Sequence, residues 1–90
     1  MKKTICIGHS NSFNYKDELY IPIRKSELND IYKIVLPHEK REGPYNSKEI
    51  LKNCNLFVAE VSYPSTGLGI EIGWASMLEV PIICIKKFIV

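Results

Sequence analysis

The segment at residues 59–75, AEVSYPSTGLGIEIGWA, combines groups that could hold an anion with a carboxylate that could act on the bound molecule. Ser65 offers a hydroxyl group, and Gly67 and Gly69 let backbone N–H groups come close to a ligand at the start of a helix. Glu71 falls in the first turns of that predicted helix, where the macrodipole favours the ionised carboxylate. The pattern predicts a site for a phosphate or another anion beside an ionised glutamate. The alternative is an ordinary tight turn that leads into a helix.

Four short apolar runs rich in β-branched residues are typical of buried parallel strands. They are TICIG at residues 4–8, IYKIVLP at 31–37, LFVAEV at 56–61 and PIICI at 81–85. Helical segments are predicted between them, at residues 14–30, 46–54 and 67–80. Pro22 must interrupt or restart the first helix, and Asn46 or Ser47 could cap the second. Four residues of the third helix have the spacing of a buried stripe, namely Leu68, Ile72, Ala75 and Leu78.

This alternation of strands and helices predicts a small flavodoxin-like or Rossmann-like three-layer α/β domain over residues 1–90. The four strands are expected to be parallel and to lie in the order 2-1-3-4. Ligands bind such sheets at the carboxyl ends of the strands. Three loops therefore become candidates for the site, at residues 8–13, 37–46 and 62–69.

His9 and His38 each follow a predicted strand end at this edge. Either imidazole could protonate a departing group or contact a phosphate, and the alternative for each is a solvated loop histidine. The aromatic residues of the same loops could stack on a base or simply pack, namely Phe13, Tyr45 and Tyr63. Trp74, one helical turn past the glutamate, is expected at a helix–helix or dimer contact. Glu60 could orient the loops or satisfy their N–H groups.

The composition, with 46% hydrophobic and 24% charged residues over 90 residues, is that of one globular domain. A net charge of +2 does not suggest a nucleic-acid polymer or a membrane as partner. The three cysteines are odd in number and lack the spacing of a zinc site, which favours a reducing, cytoplasmic location. No apolar segment approaches the length of a membrane span.

The run at residues 55–75, NLFVAEVSYPSTGLGIEIGWA, resembles the signature segment of the nucleoside 2-deoxyribosyltransferase superfamily. It is most similar to the branch of 2′-deoxynucleoside 5′-monophosphate N-glycosidases, through A-E-V, P-S, G-x-G and E-x-G-x-A at fixed spacing. The resemblance implies that Glu71 is a nucleophile that attacks the anomeric carbon of deoxyribose and displaces the base. Water or a second base then takes the sugar. The resemblance implies no metal and no cofactor, and it implies a homodimer.

The remaining residues that the resemblance or the loop positions assign to substrate binding are Gly8, His9, His38, Ser47, Ser65, Gly67 and Gly69. Ser65 and the turn from Gly67 to Gly69 would hold the 5′-phosphate. Gly8 would let the first loop lie against sugar and phosphate. Ser47 stands where relatives carry an aspartate that assists the leaving group, and a serine cannot be a general acid.

Other departures from the family pattern leave alternatives open. The first loop reads His9, Ser10, Asn11 where relatives have Ser-Ile-Arg, and Ile5 replaces a tyrosine. Relatives also continue past the fourth strand into a fifth strand and helix that lend residues to the neighbouring subunit. This chain is then a minimal member, a shortened one, or one whose missing wall comes from a partner.

Two functions of different class follow. The first is cleavage or transfer at the N-glycosidic bond of a 2′-deoxynucleoside or its 5′-monophosphate, with Glu71 as nucleophile. The second is a catalytically weakened module that binds or senses a nucleotide, and a related glycosidase acting on a dinucleotide is a third possibility. A homodimer or larger homo-oligomer is expected, because strand four forms a sheet edge and leaves Phe88 and Ile89 without cover.

Overall fold

Four parallel strands form the sheet in the computed structural model, which describes residues 2–39 and 47–87. The strands are β1 (Thr4–His9), β2 (Lys33–Val35), β3 (Leu56–Glu60) and β4 (Ile82–Ile85). The helices are a π-helical turn (Lys16–Tyr20), α1 (Ile21–Lys25), α2 (Leu28–Ile31), α3 (Ser47–Lys52) and α4 (Thr66–Met77). The order in the sheet is β2-β1-β3-β4, with every pair parallel. The predicted fold class and strand order are confirmed.

The register of the central pair brings the candidate loops together. His9, the last residue of β1, lies opposite Glu60, the last residue of β3. Both strands therefore end at the same level, and the loops that follow them leave the sheet side by side. This is the edge at which parallel sheets bind ligands.

Each face of the sheet carries its own hydrophobic core, because side chains alternate along a strand. On one face, α3 and α4 pack over a buried cluster of Cys6, Leu51, Phe57, Ala59, Leu68, Ala75 and Val80. On the other face, the π-helical turn and α1 pack against the sheet. The buried residues of this second cluster are Ile5, Ile7, Leu19, Tyr20, Ile34 and Leu36. The predicted stripe of α4 packs as expected, since Ile72 and Leu78 join the buried Leu68 and Ala75. Helices on both faces make the predicted three layers.

The local signals for helix starts hold where the structure describes them. Pro22 stands at the first turn of α1, where its missing N–H costs nothing, so the chain restarts there as predicted. α3 begins at Ser47, whereas Asn46, the other candidate cap, lies outside the described residues. Tyr45, Phe88 and Ile89 lie outside them as well.

The cysteines differ from their expected roles. Cys6 and Cys54 form a disulfide, with their Cα atoms 6.1 Å apart. Their sequence setting predicted separate residues in a reducing compartment. The bond ties the end of α3 to the centre of β1, and a closed loop of this length stabilises a fold by about 4 kcal/mol in the chain-entropy description. Cys84 is exposed because β4 is an edge strand.

Within residues 2–39 and 47–87, no helix is both long enough and apolar enough to cross a bilayer.

Gly8→Ala should destabilise the protein by about 1–3 kcal/mol, because a Cβ at this position overpacks the core. That atom would lie 2.4 Å from the ring of Phe57 and 2.9 Å from Leu68, both of which are buried. Gly73→Ala is the matched control, since the space around Gly73 is open and alanine favours a helix interior by about 0.5–1 kcal/mol. Urea denaturation measures both changes. A Gly8→Ala protein as stable as the wild type would contradict the close packing described here.

Candidate functional site

A cleft of about 360 Å³ opens at the carboxyl edge of the sheet. Five of the residues predicted from the sequence line it, namely His9, His38, Ser65, Gly67 and Glu71. The other lining residues are Asn11, Pro37, Leu68, Ile70 and Trp74. The loops after β1, β2 and β3 and the first turns of α4 thus contribute to one cavity. Its volume lies at the lower end of the range of about 300–1,000 Å³ found for small-molecule sites.

The start of α4 is a capped helix N-terminus that still has donors to offer. Ser65 is the N-cap, with extended backbone, and its Oγ accepts a hydrogen bond of 3.2 Å from the N–H of Leu68. The first helical hydrogen bond runs from Gly69 N–H to the carbonyl of Ser65. Helix geometry leaves the N–H groups of Thr66 and Gly67 without an intrahelical acceptor. The hydroxyl proton of Ser65 also remains to be donated, because Oγ acts as acceptor in the cap.

Glu71 lies in the wall of the cleft and is half-buried. α4 begins at Thr66, so Glu71 is the sixth helical residue and lies beyond the first turn. The macrodipole acts mainly within that turn, and its support for the carboxylate is smaller than the sequence suggested. The apolar side chains of Ile70 and Trp74 share the wall with Glu71. This setting strengthens any electrostatic interaction between the carboxylate and a bound ligand.

His9 is buried, and both nitrogens of its ring have partners. Nδ1 lies 2.8 Å from the carbonyl oxygen of Ser10, which can only accept, so Nδ1 carries the proton. Nε2 lies 2.6 Å from the hydroxyl of Tyr20 and accepts a hydrogen bond from it. Burial lowers the pKa of His9, and the nearby His38 adds to this effect, while the Ser10 carbonyl and Glu60 oppose it. His9 is therefore a neutral residue of the cleft wall at pH 7, with no nitrogen left for a phosphate.

His38 is placed differently, in the loop after β2. Its backbone N–H donates to the hydroxyl of Tyr20 over 3.1 Å, and its ring lies 5.9 Å from the ring of His9 between centroids. Arg24 of α1 anchors the same loop, because its guanidinium donates hydrogen bonds of 2.8 and 2.6 Å to the carboxylate of Glu39. The structure thus separates two histidines that looked alike in the sequence, since the ring of His9 is buried and bonded at both nitrogens and the ring of His38 lines the cleft.

The loop aromatics that the structure describes pack on each other. The rings of Phe13 and Tyr63 are stacked, with centroids 4.7 Å apart and planes inclined by 16°. This contact joins the loops after β1 and β3 and occupies one face of each ring. Glu60 accepts a hydrogen bond of 2.6 Å from the N–H of Ser62. It therefore satisfies an N–H group of the loop, which was one of the two roles predicted for it.

Two predicted binding residues, Gly8 and Gly69, are not among the described residues that line the cleft. Gly8 is buried where Phe57 and Leu68 fill the space of the missing side chain, which is a packing role. Gly69 lies in α4 beside the cleft, and Ser47 opens α3. Their contact with a ligand stays a prediction.

Sequence reasoning missed one lining contact and two supporting residues. Trp74, expected at a helix–helix or dimer contact, packs against the cluster that contains Leu51 of α3 and also lines the cleft. Its spacing of three residues from Glu71 on the same helix was a usable signal. Tyr20 and Arg24 support the cleft from helical segments that carry no loop motif, and no local pattern marked them.

No group of three or more histidine, cysteine, aspartate or glutamate side chains in the described part of the chain is arranged to hold a metal ion. Comparison with models of known protein families gives no match, and no curated protein is similar to this chain. The interpretation of the cleft therefore depends on its own geometry.

Acidification should destabilise the protein through His9. Burial holds the pKa of His9 below its ordinary value of 6.5, so the unfolded chain binds this proton at a higher pH than the folded chain does. The stability contributed by neutral His9 is present above about pH 6.5 and is lost as the pH falls through the lower, folded-state pKa. The free energy of unfolding in urea, measured from about pH 8 down to about pH 5, should fall more steeply for the wild type than for His9→Gln. Equal pH dependence in the two proteins would contradict this assignment.

Proposed function

We propose that the protein cleaves or transfers at the N-glycosidic bond of a 2′-deoxynucleoside or its 5′-monophosphate, with Glu71 as nucleophile. The observation that carries the proposal is the single cleft that holds both Glu71 and the anion-binding start of α4 at Ser65 and Gly67. A phosphate at the helix start places the attached sugar along the wall that contains Glu71. The resemblance of residues 55–75 to the deoxyribosyltransferase superfamily supports the same reaction.

The reaction has two displacement steps. An oxygen of the Glu71 carboxylate attacks C1′, the C1′–N bond breaks, and the base leaves with the electron pair. The base takes a proton, for which His38 is the candidate donor, because both nitrogens of His9 are engaged. Water then attacks C1′ of the glycosyl ester and releases 2-deoxyribose 5-phosphate, or a second base attacks and completes a transfer. The side chains of Ile70 and Trp74 line the cleft together with Glu71.

Glu71→Gln should reduce release of free base from 2′-deoxynucleoside 5′-monophosphates by at least about a thousandfold, because an amide cannot form the glycosyl ester. Chromatography of the four monophosphates after incubation measures the released base. Glu79→Gln is the matched control, since Glu79 is an exposed carboxylate just beyond the same helix. Release that survives in Glu71→Gln would show that another group attacks the sugar.

A second candidate function is nucleotide binding without turnover. It is favoured by Ser47 at the start of α3, where the family pattern has an aspartate. The anion-binding start of α4 remains useful to such a module. A monophosphate that stabilises the wild type and Glu71→Gln alike, and is not consumed by either, supports this function. At a hundred times its dissociation constant, such a ligand raises the free energy of unfolding by about 2.7 kcal/mol.

The proposed partner of the protein is a second copy of itself, paired along β4. The carbonyls of Pro81 and Ile85 accept bonds from β3, so alternation turns the polar backbone groups of Ile82 and Cys84 towards the open edge. The side chain of Ile83 is 49% exposed on this strand.

Charge favours the same pairing. Glu79 precedes β4, and Lys86 follows it. Two copies of β4 in antiparallel arrangement therefore bring the acidic end of one strand to the basic end of the other. Phe88 and Ile89, on which the expected association also depended, lie outside the described residues. The cytoplasmic location and the lack of a nucleic-acid or membrane partner stay predictions.

Ile83→Lys should convert a dimer to a monomer, because it places like charges beside each other across the pairing strands. Sedimentation equilibrium measures the mass in solution. Met77→Lys is the control, since Met77 is 84% exposed on α4, away from the edge strand. A wild type that sediments as a monomer at tens of micromolar, or an Ile83→Lys protein that stays dimeric, contradicts pairing through β4.

A further inference from the structure

The hydroxyl of Tyr20 joins two walls of the cleft although Tyr20 does not line it. The side chain is 4% exposed, and it enters from the π-helical turn beneath the sheet edge. Its oxygen lies 2.6 Å from Nε2 of His9 and 3.1 Å from the backbone nitrogen of His38. We propose that Tyr20 is a positioning residue, which holds His9 in one neutral form and seats His38 at the mouth of the cleft. Its effect on substrate, though not its structural role, rests on the proposed function.

The directions of the hydrogen bonds are determined by the groups themselves. The His38 N–H can only donate, so the Tyr20 oxygen accepts from it. The Ser10 carbonyl can only accept, so His9 donates from Nδ1 and leaves Nε2 as the acceptor for the Tyr20 proton. One continuous chain of donors thus runs from the β2 loop through Tyr20 to the β1 loop. Its members polarise one another in the same sense.

Aromatic rings close around this chain and keep water from it. The ring of Tyr15 lies 4.6 Å from the ring of His9 and 5.1 Å from that of Tyr20, between centroids. Phe13 approaches His9 edge-on at 6.0 Å. In these surroundings a buried polar group that loses its partner is costly. Removal of the Tyr20 hydroxyl takes one hydrogen bond from Nε2 of His9 and one from the backbone N–H of His38.

Titratable groups face His9 from three parts of the fold. His38 approaches from the β2 loop, Glu60 from the end of β3, and the phenol of Tyr15 from the start of the π-helical turn. His38 and burial oppose protonation of His9, and Glu60 favours it. The hydroxyl of Tyr20 adds a hydrogen bond at Nε2, the nitrogen that would take a second proton.

The test uses the ¹⁵N-labelled protein without ligand. Imidazole ¹⁵N–¹H spectra should show His9 protonated at Nδ1 and bare at Nε2 in the wild type. In Tyr20→Phe the ¹⁵N signal of His9 Nε2 should shift, because this nitrogen has lost its hydrogen-bond donor, and the amide of His38 should exchange with deuterium about tenfold faster or more, since it has lost its acceptor. Tyr15→Phe is the matched control, because it removes a hydroxyl from the neighbouring ring and should leave both readings unchanged.

Two results would overturn the role of Tyr20. One is a wild-type His9 protonated at Nε2, which can be seen even if Tyr20→Phe does not fold. The other is a His38 amide whose exchange is the same in Tyr20→Phe and Tyr15→Phe. Affinity for each 2′-deoxynucleoside 5′-monophosphate, which should fall about five- to tenfold in Tyr20→Phe, is measured separately. Expected spectra with no nucleotide bound by any variant would refute the proposed function and leave Tyr20 as the residue that assembles the cleft.

Discussion

The close contact between α4 and the centre of the sheet determines the geometry of the cleft. Leu68 and the ring of Phe57 occupy the space beside Gly8, and a side chain on Gly8 would lie within 3 Å of both. The backbone N–H of Leu68 also donates to the capping hydroxyl of Ser65, and Leu68 lines the cleft. The contact that seats the helix on the sheet therefore also positions the capped start of α4, where the proposed function places a phosphate. Glu71 follows on the same rigid helix, so its distance from that start is set by helix geometry.

The opposite wall depends on a different kind of interaction. The loops after β1 and β2 are held by polar contacts that begin on the helical layer, where Tyr20 reaches His9 and His38, and Arg24 reaches Glu39. These contacts give two neighbouring histidines separate chemical properties. His9 is buried, neutral and fully bonded through its ring, whereas the ring of His38 lies at the cleft.

The sheet and one half of the cleft could be predicted from the sequence, because both depend on short-range patterns. β-branched runs predicted the strands, and the segment from Ser65 to Glu71 placed a hydroxyl group, a turn and a carboxylate at the start of one helix. The other half depends on contacts between residues far apart in the chain. The pairing of Cys6 with Cys54, and the bond from Arg24 to Glu39, follow from how the layers stack, which no local spacing encodes. Gly8 was expected to bind substrate, but its neighbours show a packing role that a loop motif could not reveal.

Peptide mapping by mass spectrometry tests the central claim most directly, since that claim is a bond between Glu71 and C1′ of a sugar. The protein is quenched in acid during turnover of a 2′-deoxynucleoside 5′-monophosphate and then digested. The account predicts a 2-deoxyribose 5-phosphate ester on the peptide that contains Glu71, and none on the peptide that contains Glu79. A protein that releases base while its sugar adduct lies on another residue, or while water attacks with no adduct at all, would contradict the account.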